Sequence, residues 1–138
     1  MRPEELIEQA EKAMAFAYAP YSGYKVGAAL LTKSGKVYLG CNIENAAYGP
    51  TNCAERTAIF KAVSEGEREF SCIAVVGGKD GVVEDVFPPC GICRQVMQEF
   101  CAPDFMVYMG RGDGSFEAVR LDALLPFGFS SEKYMPEN

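Results

Sequence analysis

Apolar residues recur at helical spacing near the start of the chain: Leu6, Ile7, Ala10, Ala13, Met14 and Ala17 fall on one face between Pro3 and about Tyr18. Pro3 and the acidic first turn suit a helix N-terminus, so this segment is expected to be an amphipathic helix. Ala19-Pro20-Tyr21-Ser22-Gly23 then breaks the period. Val26 to Leu31, the turn Lys33-Ser34-Gly35-Lys36 and Val37 to Cys41 predict a β-hairpin. After a loop through Pro50, Ala58, Ile59, Ala62 and Val63 mark one face of a helix from about Ala54 to Ser64, with Gly66 as its stop. Ser71 to Gly77 has the continuous apolar character of a buried strand. Gly91 to about Cys101 reads as helix, Phe105 to Met109 as strand, and Phe116 to Arg120 as a fifth strand. This alternation predicts an α/β fold, a three-layer α/β/α sandwich with helices on both faces of one sheet.

The 138 residues, 49% of them hydrophobic, suffice for one buried core, so a single domain over residues 1–138 is expected. The apolar runs are far shorter than the roughly 20 residues that span a bilayer. The acidic N-terminus lacks a secretory layout, which makes a cytoplasmic protein with no membrane association the expectation. Thirteen basic against nineteen acidic residues give a net charge of −6, which disfavours nucleic acid as a partner. Six cysteines fit metal ligation or burial better than a disulfide framework in such a setting. The absence of histidine means that any zinc site uses sulfur or carboxylate, and that the catalytic base is not an imidazole.

Two segments carry the candidate chemistry, Cys53-Ala54-Glu55 and Pro89-Cys90-Gly91-Ile92-Cys93, each at a predicted helix start. Residues three apart share a helix face, so Cys90 and Cys93 can bind one ion with Cys53 from the other helix. Helix N-termini favour the thiolate, the ligating form. Three protein ligands leave a fourth tetrahedral position for water, whose pKa falls from about 16 towards about 7 on zinc. Glu55, two residues beyond a ligand, is the candidate general acid/base, a role worth about 10²- to 10⁴-fold in rate. Three thiolates on a dication leave a charge of about −1, which a cation beside the sulfurs would offset. Arg56 and Arg94 are the candidates, with Arg56 favoured. C-x-x-C alone also suits a redox dithiol or a structural zinc module, and Cys41, Cys72 and Cys101 read as small buried hydrophobes without a role.

C-A-E followed by P-C-x-x-C resembles the zinc signature of the cytidine deaminase superfamily. The likeness extends through Ala19-Pro20-Tyr21-Ser22, Val26 to Leu30, Gly40 to Ala46, Glu55-Arg56-Thr57-Ala58, Leu124-Leu125-Pro126 and Phe129-Ser130-Ser131, which resemble the small nucleoside-specific branch. The resemblance implies a mixed five-stranded sheet, one zinc per chain held by Cys53, Cys90 and Cys93, and a homotetramer. It implies hydrolytic deamination of cytidine and 2′-deoxycytidine, a pyrimidine salvage reaction in which Glu55 carries the proton. Asn42 and Glu44 would bind the ribose hydroxyls, the Ala54 N–H would orient the base, and Tyr24 and Tyr48 would enclose the substrate, with Phe129 contributed by a neighbouring subunit. Asn offers both donor and acceptor, while a carboxylate accepts from hydroxyls and repels a phosphate on the same sugar. Tyr24 stands where that branch often has Phe. An aminonucleoside antibiotic substrate shares the same metal chemistry and is the alternative within deamination.

Overall fold

The computed structural model describes residues 1–131; of the expected 1–138 span, residues 132–138 lie outside the described part. Helix α1 (Pro3–Met14) begins with Pro3 at its first position and Glu4 and Glu5 in its first turn, where negative charge suits the helix dipole. It is one turn shorter than the hydrophobic period suggested. Beyond Ala17 the backbone turns to sheet-like partners: the Tyr18 N–H donates to Asn42 O at 2.9 Å and Tyr18 O accepts from Glu44 N at 2.8 Å. Pro20 also disfavours a helical Ala19.

Strands β1 (Tyr24–Thr32) and β2 (Val37–Cys41) form the expected hairpin. Helix α2 (Ala54–Ser64), β3 (Phe70–Lys79), α3 (Gly91–Phe100), β4 (Met106–Gly110) and β5 (Phe116–Arg120) follow, then a single helical turn α4 (Leu121–Leu124) that the sequence pattern did not reveal. The sheet runs β2-β1-β3-β4-β5. Only β3 and β4 pair in parallel, joined through α3, so the sheet is mixed as expected.

Alternation along the central strands divides the core. Leu6, Ile7 and Ala10 of α1 pack on Ala29, Ala74 and Val76. On the opposite face, Ala58, Ile59 and Ala62 of α2, with Cys93 and Met97 of α3, pack on Ala28, Leu30, Ile73, Val75 and Val107. Each large aliphatic side chain buried this way contributes about 1.5–3 kcal/mol. Helix α1 therefore covers one face while α2 and α3 cover the other, the three-layer sandwich expected.

Two glycines set the helices close to the sheet. A Cβ on Gly27 would lie 2.0 Å from Ala10 O, and one on Gly40 would lie 2.3 Å from Ala54 O and 2.6 Å from Ala58 N. The second contact seats the first turn of α2 directly against β2.

Strand register places Tyr24 opposite Lys79 and Gly27 opposite Cys41, so β1 begins where β2 and β3 end. The loops leaving β2 and β3 at that edge lead into the N-termini of α2 and α3. Both helix starts, with their exposed N–H groups and positive dipole ends, thus meet at one end of the sheet.

Candidate active site

Cys53 is the N-cap of α2 and Cys90 the N-cap of α3, with Cys93 in the first turn of α3. Thr57 fixes the entry to α2: its hydroxyl donates to Cys41 O at 3.0 Å and accepts from Asn52 Nδ2 at 3.1 Å. Ile43 and Asn52 exchange two backbone hydrogen bonds of 2.9 Å, closing the intervening loop. On α3, the Cys93 N–H points to Cys90 Sγ at 3.5 Å.

The three sulfurs lie within 4.8 Å of one another. Cys53 Sγ and Cys90 Sγ are 3.7 Å apart, far beyond the roughly 2.05 Å of a disulfide. Two thiolates bound tetrahedrally at about 2.3 Å from one zinc sit about 3.8 Å apart. The cysteine trio is therefore positioned to hold one metal ion, and its all-sulfur donor set suits zinc. Among the described residues it is the one such cluster. A hydrogen bond with Cys93 draws the Cys53 thiol down to about 5, with Arg56 and Cys90 acting in the same direction against burial. The same bond, together with burial, pushes Cys93 up.

Arg56 Nη2 donates to Cys53 Sγ at 3.2 Å. Burial alone would lower the guanidinium pKa, but bonding to Cys53 and Cys93 outweighs it and holds the cation charged. Arg94 is committed elsewhere: Nε donates to Pro89 O and Nη1 to Leu124 O, both at 2.8 Å. Of the two candidate cations, Arg56 is the one on the sulfurs.

Glu55 is 3% exposed. Burial, reinforced by the charge of Cys53, raises its carboxyl to about 7. A carboxyl in that range both takes up and releases a proton near neutral pH. Ala54, also buried, is the first residue of α2, where backbone N–H groups have no intrahelical acceptor.

These groups open into a cleft of about 310 Å³ whose lining includes Cys53, Cys90, Glu55, Asn42, Glu44 and Tyr24. Asn42 is buried, with Oδ1 accepting from Val26 N at 2.9 Å and Nδ2 donating to Tyr24 O at 2.8 Å. One N–H and one lone pair of its amide remain for a ligand. Glu44 Oε1 accepts from the N–H groups of Tyr21 and Ser22 at 2.9 and 3.0 Å, and Oε2 accepts from the Ser22 hydroxyl. Those bonds, the Ser22 hydroxyl first, hold the carboxyl below its ordinary range.

Tyr24 forms one wall, its ring tilted against Phe87 at a centroid distance of 6.2 Å with Lys79 Nζ 5.4 Å from its own centroid. Tyr48 is 92% exposed and lines an adjoining hollow that shares Ser22, Glu44 and Thr51 with the cleft. Phe129 does not line the cleft of its own chain; its carbonyl accepts from Gln95 Nε2 at 2.9 Å. Phe87, Pro88 and Ser22 also face the cleft and were missed from the sequence. Local spacing carries no signal for Ser22 or Phe87, whose partners are Glu44 and Tyr24.

Cys41, Cys72 and Cys101 are half-buried free thiols away from the trio. Burial alone pushes Cys101 up to about 12.

Residues 1–109 match the family model described as "Cytidine and deoxycytidylate deaminase zinc-binding region". The chain is 52% identical over 132 residues to the cytidine deaminase of Sporosarcina psychrophila, spanning 96% of this chain and 94% of that protein. It is also 52% identical to the cytidine deaminase of Halalkalibacterium halodurans, spanning 96% and 97%. The crystal structure of cytidine deaminase from Burkholderia pseudomallei superposes with a TM-score of 0.87 at 49% identity, covering 94% of this chain and all of that one. With a sulfur trio of zinc spacing at the paired helix starts and likeness along nearly its whole length, the chain belongs to the zinc-binding cytidine and deoxycytidylate deaminase family.

Proposed function

We propose that this chain is a cytidine deaminase that hydrolyses cytidine and 2′-deoxycytidine to uridine and 2′-deoxyuridine with release of ammonia. The observation carrying this reading is the placement of a buried carboxyl, Glu55, in the same cleft as Cys53 and Cys90, with Asn42 and Glu44 lining it too. Cys53, Cys90 and Cys93 would hold the zinc, which when bound would supply a water acidic enough to yield nucleophilic hydroxide near neutral pH. Glu55 passes one proton from the attacking water to ring nitrogen 3 as the oxygen bonds to carbon 4; the proton left on that oxygen then passes through Glu55 to the amine, so that the carbonyl forms as the carbon–nitrogen bond breaks and ammonia leaves. The Ala54 N–H orients the base, while Asn42 and Glu44 hold the sugar through its hydroxyls. Tyr24, Tyr48 and a neighbouring subunit's Phe129 enclose the nucleoside. Arg56 offsets the excess negative charge of three thiolates on a dication.

The enzyme works as a cytoplasmic homotetramer with one domain per chain. Exposed Phe16, Tyr48, Phe127 and Phe129 supply apolar surface for subunit contacts, and the free cysteines are the form that a reducing compartment maintains. No described helix is long and apolar enough to cross a membrane.

The test compares release of ammonia from cytidine, cytidine 5′-monophosphate and a cytosine-containing oligonucleotide. Cytidine is expected to react fastest, because Glu44 repels a sugar phosphate and the net charge of −6 repels a polyanion. Faster reaction of the oligonucleotide would overturn the assignment, and zinc binding without any turnover would favour a structural module.

A further inference from the structure

The carboxylate of Glu44 has about four acceptor positions, two on each oxygen. The Tyr21 and Ser22 N–H groups occupy both positions on Oε1. Oε2 receives the Ser22 hydroxyl and keeps one position open. The hydroxyl itself is held from the other side, because Ser22 Oγ accepts the Tyr24 N–H at 3.0 Å. A serine hydroxyl carries a single hydrogen, so accepting from Tyr24 N directs that hydrogen at Glu44.

Ser22 is tied down in turn. Its carbonyl accepts from Lys79 Nζ at 3.1 Å, and that ammonium also lies over the Tyr24 ring. The next residue's carbonyl, Gly23 O, accepts the Asp80 N–H at 2.7 Å. The loop before β1 is thus clamped to the end of β3 while presenting one hydroxyl to a carboxylate 22 residues away in the chain. A serine that merely closed a local turn would need only the bond from Tyr24. Ser22, Tyr24 and Glu44 all line the cleft that holds Cys53 and Glu55.

From this we infer that Ser22 is a positioning residue for substrate recognition, orienting Glu44 Oε2 so that its last open acceptor position meets a sugar hydroxyl. This rests on the deaminase reading above and deepens it. Without the Ser22 hydroxyl, Glu44 keeps both backbone bonds to Oε1 but swings about that anchor, so Oε2 no longer has a fixed direction. The loss then falls on binding of the sugar and leaves the base at the sulfur end of the cleft untouched.

The test is steady-state deamination by Ser22→Ala and Ser22→Thr, with cytidine and with 2′,3′-dideoxycytidine, which lacks the hydroxyls that Glu44 would accept from. For Ser22→Ala, kcat/KM on cytidine is expected to fall about tenfold, chiefly through KM, with kcat within about twofold. On the dideoxynucleoside no change beyond about twofold is expected, and Ser22→Thr, which keeps a hydroxyl, restores most of the loss. Adding Ser22→Ala to Glu44→Ala is expected to cost nothing further, since the serine acts through the carboxylate. If Ser22→Ala folds poorly, Ser22→Cys takes its place: the weaker thiol donor is expected to raise KM for cytidine and leave that for the dideoxynucleoside within about twofold. Equal losses on both substrates, a fall confined to kcat, or additive losses in the double variant would each overturn the role of Ser22. Absence of cytidine turnover by the unaltered protein would instead overturn the deaminase reading, and this inference with it.

Discussion

Replacing Arg56 by Gln removes the one cation bonded to the sulfurs among the described residues, while keeping a neutral N–H donor of similar reach. The guanidinium sits 3.2 Å from Cys53 Sγ. At that distance, with an effective dielectric constant of about 20, the gross attraction between unit charges is about 5 kcal/mol. Much of it is offset by desolvation of Arg56, whose Nε is buried without a hydrogen-bond partner. The amide of Gln recovers part of the remainder, since neutral hydrogen bonds have roughly half the strength of charge-assisted ones. Loss of a group that supports metal ligands from behind typically costs about 10- to 100-fold, equivalent to about 1.4–2.8 kcal/mol. The expected result for Arg56→Gln is therefore a 10- to 100-fold fall in kcat/KM for cytidine, with bound zinc still near one per chain because all three sulfurs remain. Cytidine loss followed by ultraviolet absorbance, on protein whose zinc has been measured, gives both numbers. An unchanged rate at full zinc occupancy would refute the charge argument and return the role to backbone donors at the helix starts.

Other outcomes follow from the same geometry. Glu55→Ala is expected to keep zinc and fold but lose at least about 10²-fold in kcat, because the ligands stay while the proton carrier goes; near-normal turnover would rule Glu55 out. Gly40→Ala forces a Cβ to within 2.3 Å of Ala54 O, so thermal unfolding should show a loss of about 1–3 kcal/mol, and an unchanged Tm would mean that α2 can retreat from β2 freely. Hydrogen bonds from Ser22 hold Glu44 below its ordinary value of 4.5, so its charge is complete above that value and is lost only as pH falls through the lowered one. The ratio of KM for 2′,3′-dideoxycytidine to that for cytidine should accordingly stay level between about pH 8 and pH 5; a decline within that window would contradict the assignment.

Much of this site was legible because its ligands are encoded locally. Cys90 and Cys93 share a helix turn, and Cys53 and Glu55 straddle a helix start, so spacing alone brought each pair to one place. The choice between Arg56 and Arg94 was not available that way: both adjoin ligands in sequence, and only the packing of Arg94 onto Pro89 and Leu124 separates them. Ser22 and Phe87 escaped for a related reason, since each matters through a partner far along the chain, Glu44 and Tyr24 respectively. The hydrophobic period runs past the end of α1 because Ala17 prolongs it. The backbone bonds that stop the helix come from residues 42 and 44, which a local window does not contain. Strand pairing likewise decided the fold's handling of its two apolar faces: Ala28 and Ala29 look alike in sequence, yet they point to opposite layers.

X-ray absorption at the zinc edge of the purified protein addresses the ligand set directly. Cys53, Cys90 and Cys93 together predict three sulfur scatterers at about 2.3 Å and one oxygen at about 2.0–2.2 Å, the latter exchanging with solvent. Four sulfurs around the ion, or fewer than three, would contradict a centre built from these cysteines with one position left open to water.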